Sequence, residues 1–255
     1  MSWNIDGLDS ESEEEDMLGR TLWVVRQINE LRPHVVVLQE LIDFNFQLIS
    51  SVLKSSFHIF KQELPRQPYF VGILVHKATV DVIGRPVTIP FPTSKMGRAA
   101  LAVDVKLKTS THVVTCMTAH LESLKESSPE RIYQLKLCQD HIAKHKHDIA
   151  ACIVGGDLNI RDAEVPPAWK TRDCWNLSGS PKDAEYTWDL LRNDNARMPN
   201  GSKPRCRFDR MYLLSEKKDL ISVSKFALTG VTRVEGLGRF ASDHFGLFTT
   251  FGLVG

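Results

Sequence analysis

Apolar and polar residues follow two rhythms along this chain, and the switches between them mark out its elements. Ser2-Trp3-Asn4-Ile5-Asp6-Gly7 looks like a strand running into a glycine turn. Leu18, Leu22, Val25, Ile28 and Leu31 recur at helical spacing, which predicts a helix that Pro33 stops. Val35-Val36-Val37-Leu38 is continuously apolar, so it reads as a central strand covered on both faces and ending in Gln39-Glu40. Phe44, Leu48 and Val52 suggest a second helix. Short strands then follow at 57–62, 69–76, 79–89, 98–107 and 112–119, and the lack of helices between them points to antiparallel pairing. Ser128 and Pro129 supply a cap and first turn for a helix through Lys144, with Ile132, Leu135, Cys138 and Ile142 as its buried stripe. His141, His145 and His147 lie at its end, where an i, i+4 pair is either metal-binding spacing or a solvated terminus.

The apolar run from Ala150 to Val154 drives straight into Gly155-Gly156-Asp157-Leu158-Asn159-Ile160-Arg161-Asp162. Two glycines after a buried strand imply an exit that lies close to something. At strand-like spacing Asp157 and Asn159 point one way while Leu158 and Ile160 anchor the other. A capped turn before a helix is the alternative for so short a segment. Residues 163–185 form a connection rich in Pro, Trp and charge, Tyr186-Thr187-Trp188-Asp189 is compact and aromatic, and 192–204 has a loop composition. A strand resumes over Arg205 to Leu213, and the loop from Gly236 to Ala241 leads to Ser242-Asp243-His244 and a closing strand, 247–253. These elements predict one α/β domain over residues 1–255, with largely antiparallel sheets and helices outside them.

Composition narrows the class. A chain of 255 residues, 42% hydrophobic and 25% charged, has ordinary values for a globular protein. No apolar run approaches membrane-spanning length, which predicts no membrane contact, and the N-terminus lacks the basic-then-apolar pattern of a signal peptide. A net charge of +1 excludes a wholly basic nucleic-acid coat, so any contact with a phosphate backbone must come from a local patch. The five cysteines are odd in number and widely spaced, as expected of reduced core residues without zinc spacing. The six acids between Asp9 and Asp16 read as a solvated loop, placed where they also suit the dipole of the following helix.

Asn4, Glu40, His120, Asp157, Asn159, Asp209, Asp243 and His244 all fall at or near predicted strand ends, where sheets present residues to ligands. Singly each has a structural reading, such as a carboxylate meeting water or a hydrogen-bonded histidine. Together they supply acids for a hard metal, imidazoles for a charged oxygen and amides for orientation, the inventory of metal-assisted phosphodiester hydrolysis.

The order Trp3-Asn4-Ile5, Leu38-Gln39-Glu40, Thr118-Ala119-His120-Leu121, Gly156-Asp157-Leu158-Asn159, Arg207-Phe208-Asp209-Arg210 and Ser242-Asp243-His244 resembles the endonuclease/exonuclease/phosphatase superfamily over practically the whole chain. Within it, Trp3 to Asp9, Ile89-Pro90-Phe91-Pro92 with Lys95-Met96 and Arg98, His120-Leu121-Glu122-Ser123, Tyr186-Thr187-Trp188-Asp189 and Arg207 to Arg210 are similar to the tyrosyl-DNA phosphodiesterases. Phe245 where Trp is expected, Ala119 in place of Ser, a longer loop after Trp188 and the acidic run depart from that pattern.

The resemblance implies a DNase I-like four-layer α/β sandwich, two packed, mostly antiparallel sheets flanked by helices. It implies Mg²⁺, with Mn²⁺ as substitute, and hydrolysis of the bond between a topoisomerase II tyrosine and a DNA 5′ end in break repair, leaving a 5′-phosphate. Glu40 would bind the metal directly, while Asp243 and Asn4 hold its waters or the phosphate. Asp157 would deprotonate the attacking water, Asn159 orient it, His120 and His244 donate to phosphate oxygens, and Asp209 fix the ring of His244. Arg161, Trp188, Ser123, Tyr69, Phe208 and Met198 would line a groove for a single-stranded terminus and a topoisomerase-derived peptide, with Trp188 stacked on the Arg161 guanidinium. The same likeness implies a monomer, residence in the nucleus and also the cytoplasm, and an N-terminal ubiquitin-associated-like module trimmed from this chain. Rival readings are an abasic-site endonuclease or phosphoinositide phosphatase of the same fold, and a signalling adaptor built on it. The absence of a lysine straight after Gln39-Glu40, and Arg207 and Phe208 where lipid phosphatases carry Trp and Cys, lean against the first two.

Overall fold

The chain opens with β1 (Ser2–Asn4), α1 (Glu14–Leu31) and β2 (Val35–Leu41), which place two parallel strands side by side. Then follow α2 (Asp43–Leu53), β3 (Phe57–Lys61), β4 (Phe70–His76), β5 (Val80–Pro90), β6 (Ala99–Leu107), β7 (Val113–Ala119), α3 (Ser128–His145) and β8 (Ala151–Asp157). The computed structural model describes residues 1–63, 68–145, 149–215 and 220–253, so His147 of the predicted histidine group lies outside the described residues. After short helical turns at 162–184 come β9 (Trp188–Asp189), β10 (Arg205–Cys206), β11 (Asp209–Leu214), β12 (Ile221–Thr229) and β13 (Gly246–Leu253).

Two large sheets result, ordered β12-β13-β1-β2-β4-β3 and β11-β8-β7-β6-β5, with β9 and β10 as a separate ribbon. Apolar side chains of α1 and α2 pack on one face of the first sheet, around Trp3, Val36, Leu38 and Ile49. Its other face meets the second sheet through Val37, Ile73, Val75, Leu101 and Val103. The far face of the second sheet is covered by α3, through Leu135 and Cys138. This is the four-layer sandwich, antiparallel except for the pairs β1-β2 and β7-β8.

Those two parallel pairs decide where chemistry can occur. They send the carboxyl ends of β1, β2, β7 and β8 to one rim, and their antiparallel neighbours β13 and β11 begin there. The five cysteines are free thiols, and no helix among the described residues is long and apolar enough to cross a membrane.

Three sequence expectations need correction. The helices form as predicted, but Leu18, Leu22, Phe44, Val52 and Ile132 of their proposed stripes are exposed. The inward faces carry Arg20 and Thr21 in α1, Asn45 in α2, and Arg131 and Gln134 in α3. The strand predicted over 205–213 breaks at Arg207-Phe208, because β10 pairs with β9 while β11 pairs with β8. The edge strand β12 carried no prediction. The acidic run does more than face water: Asp9 binds Arg20 at 2.8 Å and Arg239 at 2.5 Å, and Glu14, Glu15 and Asp16 occupy the first turn of α1.

Candidate active site

Asp157 is the centre of the rim. Its Oδ1 accepts from the Asn159 backbone N–H at 3.0 Å, and its Oδ2 accepts from Asn4 Nδ2, also at 3.0 Å. His120 Nε2 lies 3.2 Å from that Oδ2 and His244 Nε2 lies 3.7 Å away. Leu158 and Ile160 are buried in the core beneath, as their alternation predicts. Gly156 explains the glycine before the acid: a Cβ there would stand 2.1 Å from the Ala119 carbonyl oxygen, so only glycine lets the ends of β7 and β8 approach.

Glu40 reaches the site through an irregularity. The pairing of β2 with β4 shifts register between Leu38 and Leu41, and Glu40 sits at φ 53°, a left-handed conformation costly for a residue with a side chain. Asn159 has φ 51°, which asparagine tolerates better. The Glu40 carboxylate accepts from Asn4 Nδ2 at 3.0 Å and stays partly open. Asn4 thus spans the two acids, its own Oδ1 accepting from the Asp6 backbone.

His244 is held by Asp209, whose Oδ2 lies 2.7 Å from Nδ1. Asp209 is opposite Asp157 in the β11-β8 register and donates its backbone N–H to Thr187 Oγ1 at 3.1 Å. Burial opposes a charge on His244, but Asp209, Asp243 and Asp157 outweigh it and hold the imidazole well above its ordinary value. Burial likewise disfavours the Asp157 carboxylate, yet the neighbouring His120 and His244, with the Asn4 hydrogen bond, pull it below the usual carboxylate range. Among the described residues two buried site atoms have no hydrogen-bond partner, His120 Nδ1 and Asp209 Oδ1.

Asp243 faces the same space, with one oxygen accepting from Trp188 Nε1 at 2.9 Å. Burial, Asp243 and Glu40 together push the nearby Asp6 carboxyl well above its usual range, against the pull of Arg20. Such crowding of acids is what a divalent cation relieves, and Glu40 and Asp243 are the partly open oxygen donors present, so the donor set fits a hard ion. Glu40, His120 and Asp157, and Asp157, Asp209 and His244, also bring ligand atoms within 4.8 Å of one another.

The flanking candidates are divided. Tyr69 leans over His120 with ring centroids 6.2 Å apart, and Arg98 links Tyr69 Oη at 3.2 Å to Ser123 Oγ at 2.9 Å. Trp188 lies against Phe208 at 5.7 Å. The predicted stack of Arg161 on Trp188 is not formed: Arg161 stands 6.0 Å from the Phe208 ring, since Trp188 turns its indole N–H to Asp243. Met198 is 37% exposed in its loop, and among the described residues no hydrogen bond or ring contact ties its side chain to the site. In the sequence Glu122 stands out only as part of a motif, yet it is 2% exposed and its carboxylate accepts from Ser94 Oγ and the Lys95 and Met96 backbone, fixing the loop before Arg98. Its place two residues after His120, on the same side of an extended segment, is the signal that marks it.

Comparison with known proteins follows the geometry. A model of the endonuclease/exonuclease/phosphatase family matches residues 1–244. Tyrosyl-DNA phosphodiesterase 2 of Rattus norvegicus is 37% identical over 258 residues, covering all of this chain and 66% of that protein. The 5′-tyrosyl-DNA phosphodiesterase of Caenorhabditis elegans is 34% identical over 254 residues, covering 98% of this chain and 66% of that protein. The chain therefore spans 66%, just under two thirds, of the length of these curated relatives. A crystal structure of D. rerio TDP2 complexed with single-strand DNA product superposes with a TM-score of 0.86 at 34% identity, over 98% of this chain and 97% of that one. With its rim residues in the order and place described, the chain belongs to the endonuclease/exonuclease/phosphatase family.

Proposed function

We propose that this chain hydrolyses the phosphodiester joining a tyrosine, such as that of topoisomerase II, to the 5′ end of DNA, with Mg²⁺ or Mn²⁺ as cofactor. The observation that carries this reading is the convergence on Asp157 of Asn4, His120 and His244 from three other strand ends, beside the partly open carboxylates of Glu40 and Asp243. The names of the relatives support the tyrosyl substrate, and the DNA product in the D. rerio neighbour supports a single-stranded terminus. Nuclear residence, shared with the cytoplasm, would follow from that substrate.

Glu40 and Asp243 would hold the divalent ion, which when bound supplies positive charge to the phosphate and the departing oxygen. His120 and His244 donate to non-bridging phosphate oxygens, where negative charge grows. In the resting site these imidazoles hold Asp157 ionised, which makes it a weak base. A phosphate that takes up their N–H groups weakens that stabilisation, so the carboxylate becomes more basic when substrate arrives, as deprotonating water requires. Asp209 keeps Nε2 of His244 aimed at the phosphate by holding Nδ1. Asn159 steadies the nucleophile, its side chain tied to the Leu121 carbonyl at 3.2 Å. Tyrosine leaves as a phenolate with a conjugate-acid pKa of about 10, so little acid catalysis is needed. Tyr69, Ser123, Trp188 and Phe208 would wall the groove, and Arg161 and Met198 would meet the strand farther out.

The test offers a 5′-phosphotyrosyl oligonucleotide, an abasic duplex and an inositol phosphate side by side. Release of a 5′-phosphate from the first alone, abolished by EDTA, is expected. Asp157→Asn should lower turnover by more than about 10²-fold while DNA binding persists. Equal turnover in EDTA, or normal turnover by the variant, overturns the assignment.

A further inference from the structure

We propose that Asn193 and Asn195 are positioning residues, two side-chain amides that pin the backbone of the segment carrying Asp243 and His244 and thereby set how tightly the rim holds its divalent ion. The inference rests on the proposed role of Asp243 in holding that ion. Residues 240–245 lie between β12 and β13 and belong to neither strand, so side chains make bonds to their backbone that a sheet partner would otherwise supply. From β1 and α1, Trp3 Nε1 donates to the His244 carbonyl and Arg20 Nε to the Ala241 carbonyl, each at 2.9 Å. The loop after β9 supplies further holds. Asn193 Nδ2 donates to the Ser242 carbonyl at 2.8 Å. Asn195 Nδ2 donates to the Phe240 carbonyl at 2.8 Å, and its Oδ1 accepts from the Phe240 N–H at 3.0 Å. That double exchange is what a residue of an antiparallel strand offers its hydrogen-bonded partner.

Asn193 is the stronger hold because it is itself fixed. It is 1% exposed, its Oδ1 accepts from the Asn195 N–H at 3.1 Å, and its own N–H bonds the Asp189 carbonyl at 2.8 Å. Asp189, fully buried, is gripped in turn by Arg205 at 2.8 Å. Ser242 is also anchored through its hydroxyl, which donates to the Asn4 carbonyl at 2.6 Å and accepts from the His244 N–H at 3.0 Å. Ser242 is therefore clamped between Asn4 and Asn193, and Asp243 follows it directly. Removing the Asn193 amide takes away the donor of a buried carbonyl and lets the backbone next to Asp243 shift. The Asp243 carboxylate then keeps only the hydrogen bond from Trp188 Nε1 to orient it, and the side chains that orient a metal ligand set its affinity.

The experiment titrates Mn²⁺ into the whole protein by calorimetry, without nucleic acid, and separately follows turnover of the 5′-phosphotyrosyl oligonucleotide against Mg²⁺. Asn193→Ala should weaken Mn²⁺ binding by about 10-fold and raise the Mg²⁺ needed for half-maximal turnover by the same factor, with turnover recovering at saturating Mg²⁺. Asn195→Ala, at a half-buried residue, should act in the same direction by a smaller factor. Asn200→Ala removes an exposed asparagine of the same loop and should match wild type. A merely structural role would lower the melting temperature of Asn193→Ala and leave its Mn²⁺ affinity alone. Wild-type Mn²⁺ affinity in folded Asn193→Ala, or in Asn195→Ala should the first variant not fold, overturns the proposal, and so does a wild-type protein that binds no Mn²⁺. A wild-type protein that binds Mn²⁺ yet leaves the oligonucleotide intact refutes the proposed function alone, and the calorimetry still decides between the two asparagines and a structural role.

Discussion

Replacing Gly156 with alanine tests whether the approach of β7 to β8 sets the geometry of the rim. The new Cβ would meet the Ala119 carbonyl oxygen at 2.1 Å and the Ala119 carbonyl carbon and nitrogen at 3.2 Å. A tolerable carbon-to-oxygen contact is near 3.3 Å, so the strand ends must part by about 1 Å. No side chain can absorb this, because the opposing atoms are backbone. Forcing a methyl group into packed structure costs about 1–3 kcal/mol, and this site belongs at the upper end. At about 2–4 °C per kcal/mol the melting temperature should fall by about 6 °C or more. Ala119 precedes His120 and Gly156 precedes Asp157, so the same movement pulls apart His120 Nε2 and Asp157 Oδ2, now 3.2 Å apart. A misplacement of this size costs about 10²-fold in rate. Gly155→Ala is the control: its Cβ would find Met211 Cε at 3.4 Å and Ser2 and Val37 carbons at 3.6 Å, all ordinary contacts. Thermal unfolding and turnover of the tyrosyl oligonucleotide should separate the two variants. Wild-type melting and turnover in Gly156→Ala would refute the reasoning.

Asp209→Asn keeps the shape beside His244 and removes the largest of the charges that oppose the effect of burial, so the pKa of the imidazole falls. The alkaline limb of the rate profile should move to lower pH and turnover drop by about 10²-fold; a profile superposing on wild type contradicts this. Trp188→Phe preserves packing on Phe208 but loses the 2.9 Å hydrogen bond to Asp243, so about 10-fold more Mg²⁺ should be needed for half-maximal turnover, and an unchanged requirement would sink the link. Asp157, held below the usual carboxylate range, contributes stability that is present above the unfolded value of about 3.9 and lost as pH falls through the folded one. Urea midpoints of the metal-free protein should therefore drop below about pH 4, and less steeply in Asp157→Asn; equal slopes would count against the assignment.

Strands were legible in this sequence because their apolar runs are short and bounded, and β3 to β7 lie within a residue or two of the predicted ranges. The rim was legible for the same reason: an acid or histidine directly after an apolar run marks a strand end. The break at Arg207-Phe208 was not, since charge alternation runs on unbroken while the chain passes from the β9 ribbon to the second sheet. Nor was the Arg161 contact with Phe208, because the indole N–H that decides it answers to Asp243, 55 residues away in sequence.

The misjudged helix faces share a cause that bears on how the site is held. A stripe of apolar residues locates the inward face only where the helix meets hydrocarbon, and these three helices also meet the loops that carry the rim. Arg20 of α1 donates to the Ala241 carbonyl and to the Asp6 carbonyl and carboxylate, each at 2.9 Å, which ties the segment before Asp243 to the turn after Asn4. Asn45 of α2 accepts from the Ile42 backbone at 2.8 Å just beyond Glu40. Gln134 of α3 donates to Glu122 at 3.1 Å and accepts from its backbone N–H at 2.9 Å, two residues from His120. Burying such groups is tolerable only where each finds a partner, so they appear in helices that are structural props for polar loops. The inward polar residues are therefore the helical counterpart of the rim, and a leucine in place of Arg20 would improve the stripe while releasing both Asp6 and Ala241.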